Sequence, residues 1–394
     1  MWHRFLSPRA VLVLAIIATG TLWGMIPHTV YAGQPAIQSS AGEPACRVKS
    51  VEKTSVAYEN LAVSPHSGSL ATTQLDPKGV YQVYTAKAGD KTFHCISCQP
   101  LKGGPRPDRN KPMVSWHPSG RWLVVGIEED QHDLMWMPKS WQRGLLQSGI
   151  WLNIWVASPD GTHWHQMTNF KKSKDAPADG YVGMPFTPDG TIGVWAEAVD
   201  GNVFANAFGI WKLYAAHFGV NHDGKPVLRG KMDITPPGAR WVEPGNIAPD
   251  GRHLLISADI GIEDAQGQDQ FIYDLDTGKL TNLTNSPQVW DEHGLFSPNG
   301  KKIVFMSSYP YRNEKNSYKV ASLKTEFMMM DSDGRHLQQL THFNEPGYPE
   351  SQKEHTIAAV AFFIGDGSQL YAMVMAPEFT KTNWIITFKG RCGG

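Results

Sequence analysis

One short turn, repeated along the chain, constrains the fold more than any other feature. Residues 295–306 read as an apolar run, a Ser297-Pro298-Asn299-Gly300 turn and a second apolar run. Proline presets φ for a turn, and Asn-Gly tolerates positive φ. With β-branched and aromatic flanks, the stretch predicts a hairpin between buried strands. The same unit stands at Ser64-Pro65-His66-Ser67-Gly68, at residues 116–120, 186–190 and 247–251, and in degenerate form at 363–367. Copies spaced by about 50–70 residues fall in the range of propeller-type repeats.

A second signature alternates with the first. Ser158-Pro159-Asp160-Gly161 leads into residues 164–169, Asp274-Leu275-Asp276-Thr277-Gly278 into Leu280 to Thr284, and Asp331-Ser332-Asp333-Gly334 into Leu337 to Thr341. Each unit therefore reads strand, turn, strand, loop, strand, Asp-Gly turn, strand. A β-sandwich also has many short strands, but a repeated four-stranded antiparallel unit is a propeller blade. The expectation is an all-β, six-bladed β-propeller over residues 49–394. The weakly patterned stretch 48–58 and the C-terminus leave seven blades open.

The turn at residues 295–307 and the Ile-Tyr…Asp…Gly…Leu-Thr close at 271–284 resemble the TolB-like family of bacterial periplasmic propellers. The resemblance covers most of the chain from about Ala57 onward, and it is to the propeller part alone. It implies architecture and a periplasmic setting. It does not imply one activity, because such propellers serve as binding modules and as enzyme scaffolds.

Residues 1–9 form a short basic segment, and 10–26 are apolar and uncharged. Val30-Tyr31-Ala32 before Gly33 fits a small-x-small cleavage site. Residues 1–32 are thus expected to be a signal peptide, with a retained membrane anchor as the alternative. Residues 33–48, rich in Ala, Ser, Gly, Pro and Gln, read as a flexible leader. A periplasmic or secreted monomer is expected.

The charges nearly cancel, 36 basic against 37 acidic, so nothing draws the chain to nucleic acid or acidic lipid. The 14 Trp suit the wedges between neighbouring blades. Trp122, Trp155, Trp195 and Trp211 fall in strand positions. Trp136, Trp141, Trp164, Trp241 and Trp290 fall near turns or in loops, where an aromatic also serves a binding surface.

Four Cys in an exported chain are expected to be oxidised. Cys95-Ile96-Ser97-Cys98 lacks the partner motif of a zinc ribbon and the βαβ context of thioredoxin chemistry. A local disulfide is the simplest reading. Cys46 and Cys392 are then left to pair, which would staple the two ends of the ring, although three connectivities remain formally open.

Candidate functional residues cluster just before the predicted innermost strands. They are Trp241 and Glu243, Asp291-Glu292-His293, and Glu354-His355. Imidazole beside carboxylate suits a divalent metal or a proton-transfer pair. If the ring brings His293 and His355 together, a metal site at the axis follows; a solvated polar channel lining is the structural alternative. Insertions at 128–149 (with Trp136, Trp141 and Arg143), 200–209 and 309–324 are candidate rim loops.

No Gly-x-Ser-x-Gly elbow is present, which argues against α/β-hydrolase chemistry. Residues 291–298 are faintly similar to the metal site of oligogalacturonate-type lyases. The expectation is therefore a module binding a periplasmic protein or a small polar or carbohydrate ligand. The alternative is a metal-dependent, carbohydrate-active enzyme.

Overall fold

The computed structural model describes residues 46–54, 60–90, 92–128, 139–170, 180–200, 209–264, 266–376 and 380–392, with the side chains of 139–141 and 200 excepted. The expected signal peptide, the leader up to residue 45, Trp136 and the Trp141 side chain lie outside what it describes. Among the described residues no helix is long and apolar enough to cross a membrane.

Six four-stranded antiparallel sheets form a ring, so the chain is a six-bladed propeller. The innermost strands are Asn60–Val63, Met113–Trp116, Gly180–Val182, Val242–Ile247, Asp291–Phe296 and Ile357–Ile364, in blades 1 to 6. Among the described residues there is no seventh sheet. Val48–Lys53 instead pairs with Lys381–Phe388 and becomes the outermost strand of blade 6, so one blade is built from both ends of the propeller.

The recurring turn works as its residues predict. In blade 4 the Gly251 N–H donates to the Ala248 carbonyl at 2.9 Å, and Gly251 adopts φ 74°. The Asp250 carboxylate accepts the Arg252 N–H at 2.9 Å. In blade 5 Asn299 plays the same part, accepting from the Lys301 N–H at 3.0 Å. An Asx side chain that satisfies the backbone two residues on fixes the direction in which the second strand leaves.

The Leu-Thr close also has a physical cause. The hydroxyl after the fourth strand takes the place of a ladder carbonyl for the third strand. The Thr168 hydroxyl accepts the Ile154 N–H at 2.8 Å, the Thr284 hydroxyl the Gln270 N–H at 3.0 Å, and the Thr341 hydroxyl the Phe327 N–H at 3.0 Å. Blade 1 uses Ser97 for the Val83 N–H at 2.9 Å, and blade 3 uses Thr235 for the Leu213 N–H at 2.9 Å. In blades 1, 2, 4 and 5 that hydroxyl donates to a polar side chain at or near the start of the third strand: Gln82, Asn153, Asp269 and Glu326. The buried polar groups are thereby paired, as the cost of leaving them unpaired requires.

The core lies between blades. Trp195, Trp211, Trp241 and Tyr181 join one buried cluster with Leu213, Leu254 and Phe271, which bears out the wedge role expected of Trp195 and Trp211; Trp122, just outside its strand, and Trp155 are only half-buried against such clusters. Trp164 and Trp290, placed by sequence near turns, are buried as well. The Lys111 side chain is fully buried, its ammonium donating to Gln82 Oε1 at 3.1 Å and to the Arg109 carbonyl at 2.7 Å.

Candidate functional site

Blades 4 and 5 bring three ligand-type side chains together. Glu243 is on the inner strand of blade 4, and Glu292 and His293 are on the inner strand of blade 5. One ligand atom from each lies within 4.8 Å of the others. Inner strands line the central channel of a propeller, so the group sits on the channel wall.

Local structure explains why these side chains meet. Glu243 stands six residues before Pro249, and Glu292 six residues before Pro298. The repeat therefore places both carboxylates at one height on adjacent strands. Between Glu292 and Leu295 the ladder register shifts, and His293 adopts φ 54° in the left-handed region. Such a conformation costs about 1–3 kcal/mol in a non-glycine residue and persists where the surroundings impose it. A bulge here re-aims the imidazole sideways, out of the strand's alternation and toward blade 4.

The backbones of the two blades must approach closely to allow this. A Cβ on Gly245 would lie 2.3 Å from the Gly294 carbonyl oxygen, so glycine is required at that contact.

The imidazole is held at one nitrogen and open at the other. His293 Nδ1 lies 2.8 Å from the carbonyl oxygen of Ala359 in blade 6. A carbonyl can only accept, so Nδ1 carries the proton. Nε2 points to Glu243 Oε2 at 3.6 Å. Glu292 Oε2 accepts the Trp290 indole N–H at 2.8 Å. The side chains of His293, Glu243 and Glu292 remain 26%, 16% and 11% exposed.

The electrostatics favour an added cation. Burial and the neighbouring Glu292 carboxyl push Glu243 up to about 7, with His293 opposing. The two carboxylates raise His293 above its ordinary value against the effect of burial. Glu243 and Glu292 cannot comfortably ionise side by side unless positive charge lies between them. Bonds of about 2.0–2.2 Å to a transition metal set neighbouring donors roughly 3–3.5 Å apart. The 3.6 Å gap between Nε2 and Oε2 is close to that span. An imidazole whose second nitrogen is fixed by a carbonyl, with two carboxylates, is a familiar donor set for such ions.

The remaining candidates fall elsewhere. His355 and Glu354 are exposed and are not part of this group. The position in blade 6 equivalent to Glu243 and Glu292 is Ala359, six residues before Gly365. His355 precedes the inner strand, so the expected His293–His355 pair gives way to His293 with Glu243. Trp241 is buried in the inter-blade cluster, which marks it as a wedge, and its backbone N–H donates to Asp259 Oδ1 at 3.0 Å. Asp291 points away from the group. Its Oδ2 accepts from Ser286 Oγ at 2.7 Å, and burial, with Asp269 nearby, pushes it up to about 7. Cys95 and Cys98 form the expected local disulfide, while Cys46 and Cys392 are free thiols.

No family profile and no curated protein matches the chain. Among solved structures it is similar to TolB from Acinetobacter baumannii, at 14% identity and TM-score 0.47 over 82% of this chain and 64% of that one. It is similar to a putative TolB from Agrobacterium tumefaciens, at 15% identity and TM-score 0.49 over 86% and 97%. A puromycin-hydrolyzing peptidase from Mycobacterium tuberculosis matches at 12% identity and TM-score 0.49 over 87% of this chain and 45% of that one. None of these likenesses bears on activity. By its own sheet pairing the chain is a six-bladed β-propeller.

Proposed function

We propose that this propeller is an exported binding module that holds a divalent transition-metal ion through Glu243, Glu292 and His293. It presents the ion to a small polar or carbohydrate ligand, or to a carboxylate of a partner protein. The observation that carries the reading is the meeting of two carboxylates and an open imidazole nitrogen on neighbouring inner strands. Three protein donors leave coordination positions free, which is the arrangement that lets a bound metal take a further ligand. Export is supported by the basic, apolar and small-residue order of residues 1–32.

A second reading, metal-dependent chemistry on an acidic sugar, is favoured by the same open positions. Release of unsaturated product from uronate oligomers by the metal-loaded protein would distinguish it from binding alone.

Calorimetric titration of Mn2+ or Zn2+ into chelator-stripped protein tests the proposal. One ion per chain is expected to bind, and Glu292→Gln or His293→Ala should weaken binding by about a hundredfold or more. Affinity should rise with pH. Glu243 at about 7 and His293, raised above its ordinary value, hold protons that the metal must displace. Equal binding by wild type and both variants would overturn the reading.

A further inference from the structure

Blade 6 is closed by the pairing of Val48–Lys53 with Lys381–Phe388. Just outside that ladder the Lys389 N–H donates to the Arg47 carbonyl at 2.8 Å. Cys46 stands two residues before Val48, and Cys392 four residues after Phe388. Both approach one apolar cluster containing Phe327, Met329 and Phe388. Each backbone is anchored: the Cys46 carbonyl accepts from Gln338 Nε2 at 2.8 Å, and the Cys392 N–H donates to the Gly367 carbonyl at 3.1 Å. Cys392 is buried in that cluster and Cys46 packs against it, and both are free thiols in this structure.

We infer that Cys46 and Cys392 are a reversible redox pair whose disulfide joins the two outer strands of blade 6, which come from opposite ends of the propeller, locking the ring covalently.

The surroundings give the two sulfurs different parts. Cys46 is half-buried. The hydrogen bond from Cys392 holds it down at about 7, against burial and with help from the Lys302 ammonium. Cys392 is buried, and its hydrogen bond to Cys46 and its burial push it up. Cys46, half-buried where Cys392 is buried, is the more accessible sulfur and takes the part of the attacking thiol. Its thiolate attacks a small disulfide oxidant such as oxidised glutathione, forming a mixed disulfide and releasing one glutathione thiolate. Cys392 then gives up its proton and attacks the Cys46 sulfur, releasing the second glutathione. Two S–H bonds are lost and one S–S bond forms, while the oxidant takes two electrons and two protons as two thiols.

The chain between the two sulfurs spans nearly the whole propeller. A bond there restricts the unfolded ensemble, and it bars the blade from opening at its outer strand.

The test uses the full chain, first reduced with dithiothreitol and then exposed to oxidised glutathione. Non-reducing peptide mass mapping is expected to find a Cys46–Cys392 cross-link that dithiothreitol reverses. The oxidised form should unfold more slowly by about tenfold or more. Cys392→Ser should stop at a Cys46–glutathione adduct and show no slowing. The inference is overturned if the wild type keeps both thiols free or separately glutathionylated. It is overturned too if the cross-link forms without changing the unfolding rate.

Discussion

Replacing Glu326 with alanine is expected to destabilise the protein by about 3–5 kcal/mol, since each buried donor left without its acceptor costs about 1–3 kcal/mol. Glu326 is fully buried at the start of the third strand of blade 5. Its Oε2 accepts from Thr341 Oγ1 and from the Phe343 N–H, both at 2.8 Å. Its Oε1 accepts from Tyr311 Oη at 2.7 Å and from the Asn344 N–H at 2.8 Å. One side chain thus ties the blade's fourth-strand close to the insertion that begins at Tyr309. Alanine strands two hydroxyls and two backbone N–H groups together. Glu326→Gln keeps one acceptor oxygen and should fall between alanine and wild type. Urea unfolding of the three proteins checks the order, and an alanine variant within 1 kcal/mol of wild type, well below the expected loss, would contradict the account.

Gly245→Ala carries the second large effect. The new Cβ would lie 2.3 Å from the Gly294 carbonyl oxygen and 3.2 Å from that of Leu255. Both neighbours are backbone, so the clash is relieved only by parting blades 4 and 5, at a cost of about 1–3 kcal/mol or more. Gly294 follows His293 directly, so the same displacement should pull the imidazole from Glu243 and weaken metal binding. Gly219→Ala is the control: nothing lies within 4 Å of its Cβ, and it should change neither property. Calorimetric metal affinity and unfolding midpoints of both variants read the outcome. Unchanged affinity in Gly245→Ala would show that the site does not depend on the close approach.

The blade architecture was legible because its signals are local. Proline, Asx and glycine at fixed positions dictate each turn without reference to the rest of the chain. A Leu-Thr close reports a hydroxyl that must enter a strand ladder. The closing strand was less visible: the Val48–Lys53 pattern is short, and its partner Lys381–Phe388 lies at the other end of the sequence.

The site was half legible. Glu243, Glu292 and His293 were each identifiable as polar residues in apolar surroundings. The equal offset of the two glutamates from Pro249 and Pro298 carried the further signal that they sit level on neighbouring blades. That offset also excludes His355 from the same level. What no spacing rule supplies is the left-handed turn at His293, which re-aims the imidazole through a bulge. The burial of Lys111, whose charge is met by backbone carbonyls, was hidden for the same reason: its partners are set by tertiary approach.

Anomalous diffraction from crystals of the full chain loaded with Mn2+ or Zn2+ tests the central claim most directly. The account predicts one strong peak between blades 4 and 5, bonded to His293 Nε2 and to carboxylate oxygens of Glu243 and Glu292 at about 2.0–2.2 Å. A loaded crystal with no peak among these three side chains, or with its metal held elsewhere on the ring, would contradict it.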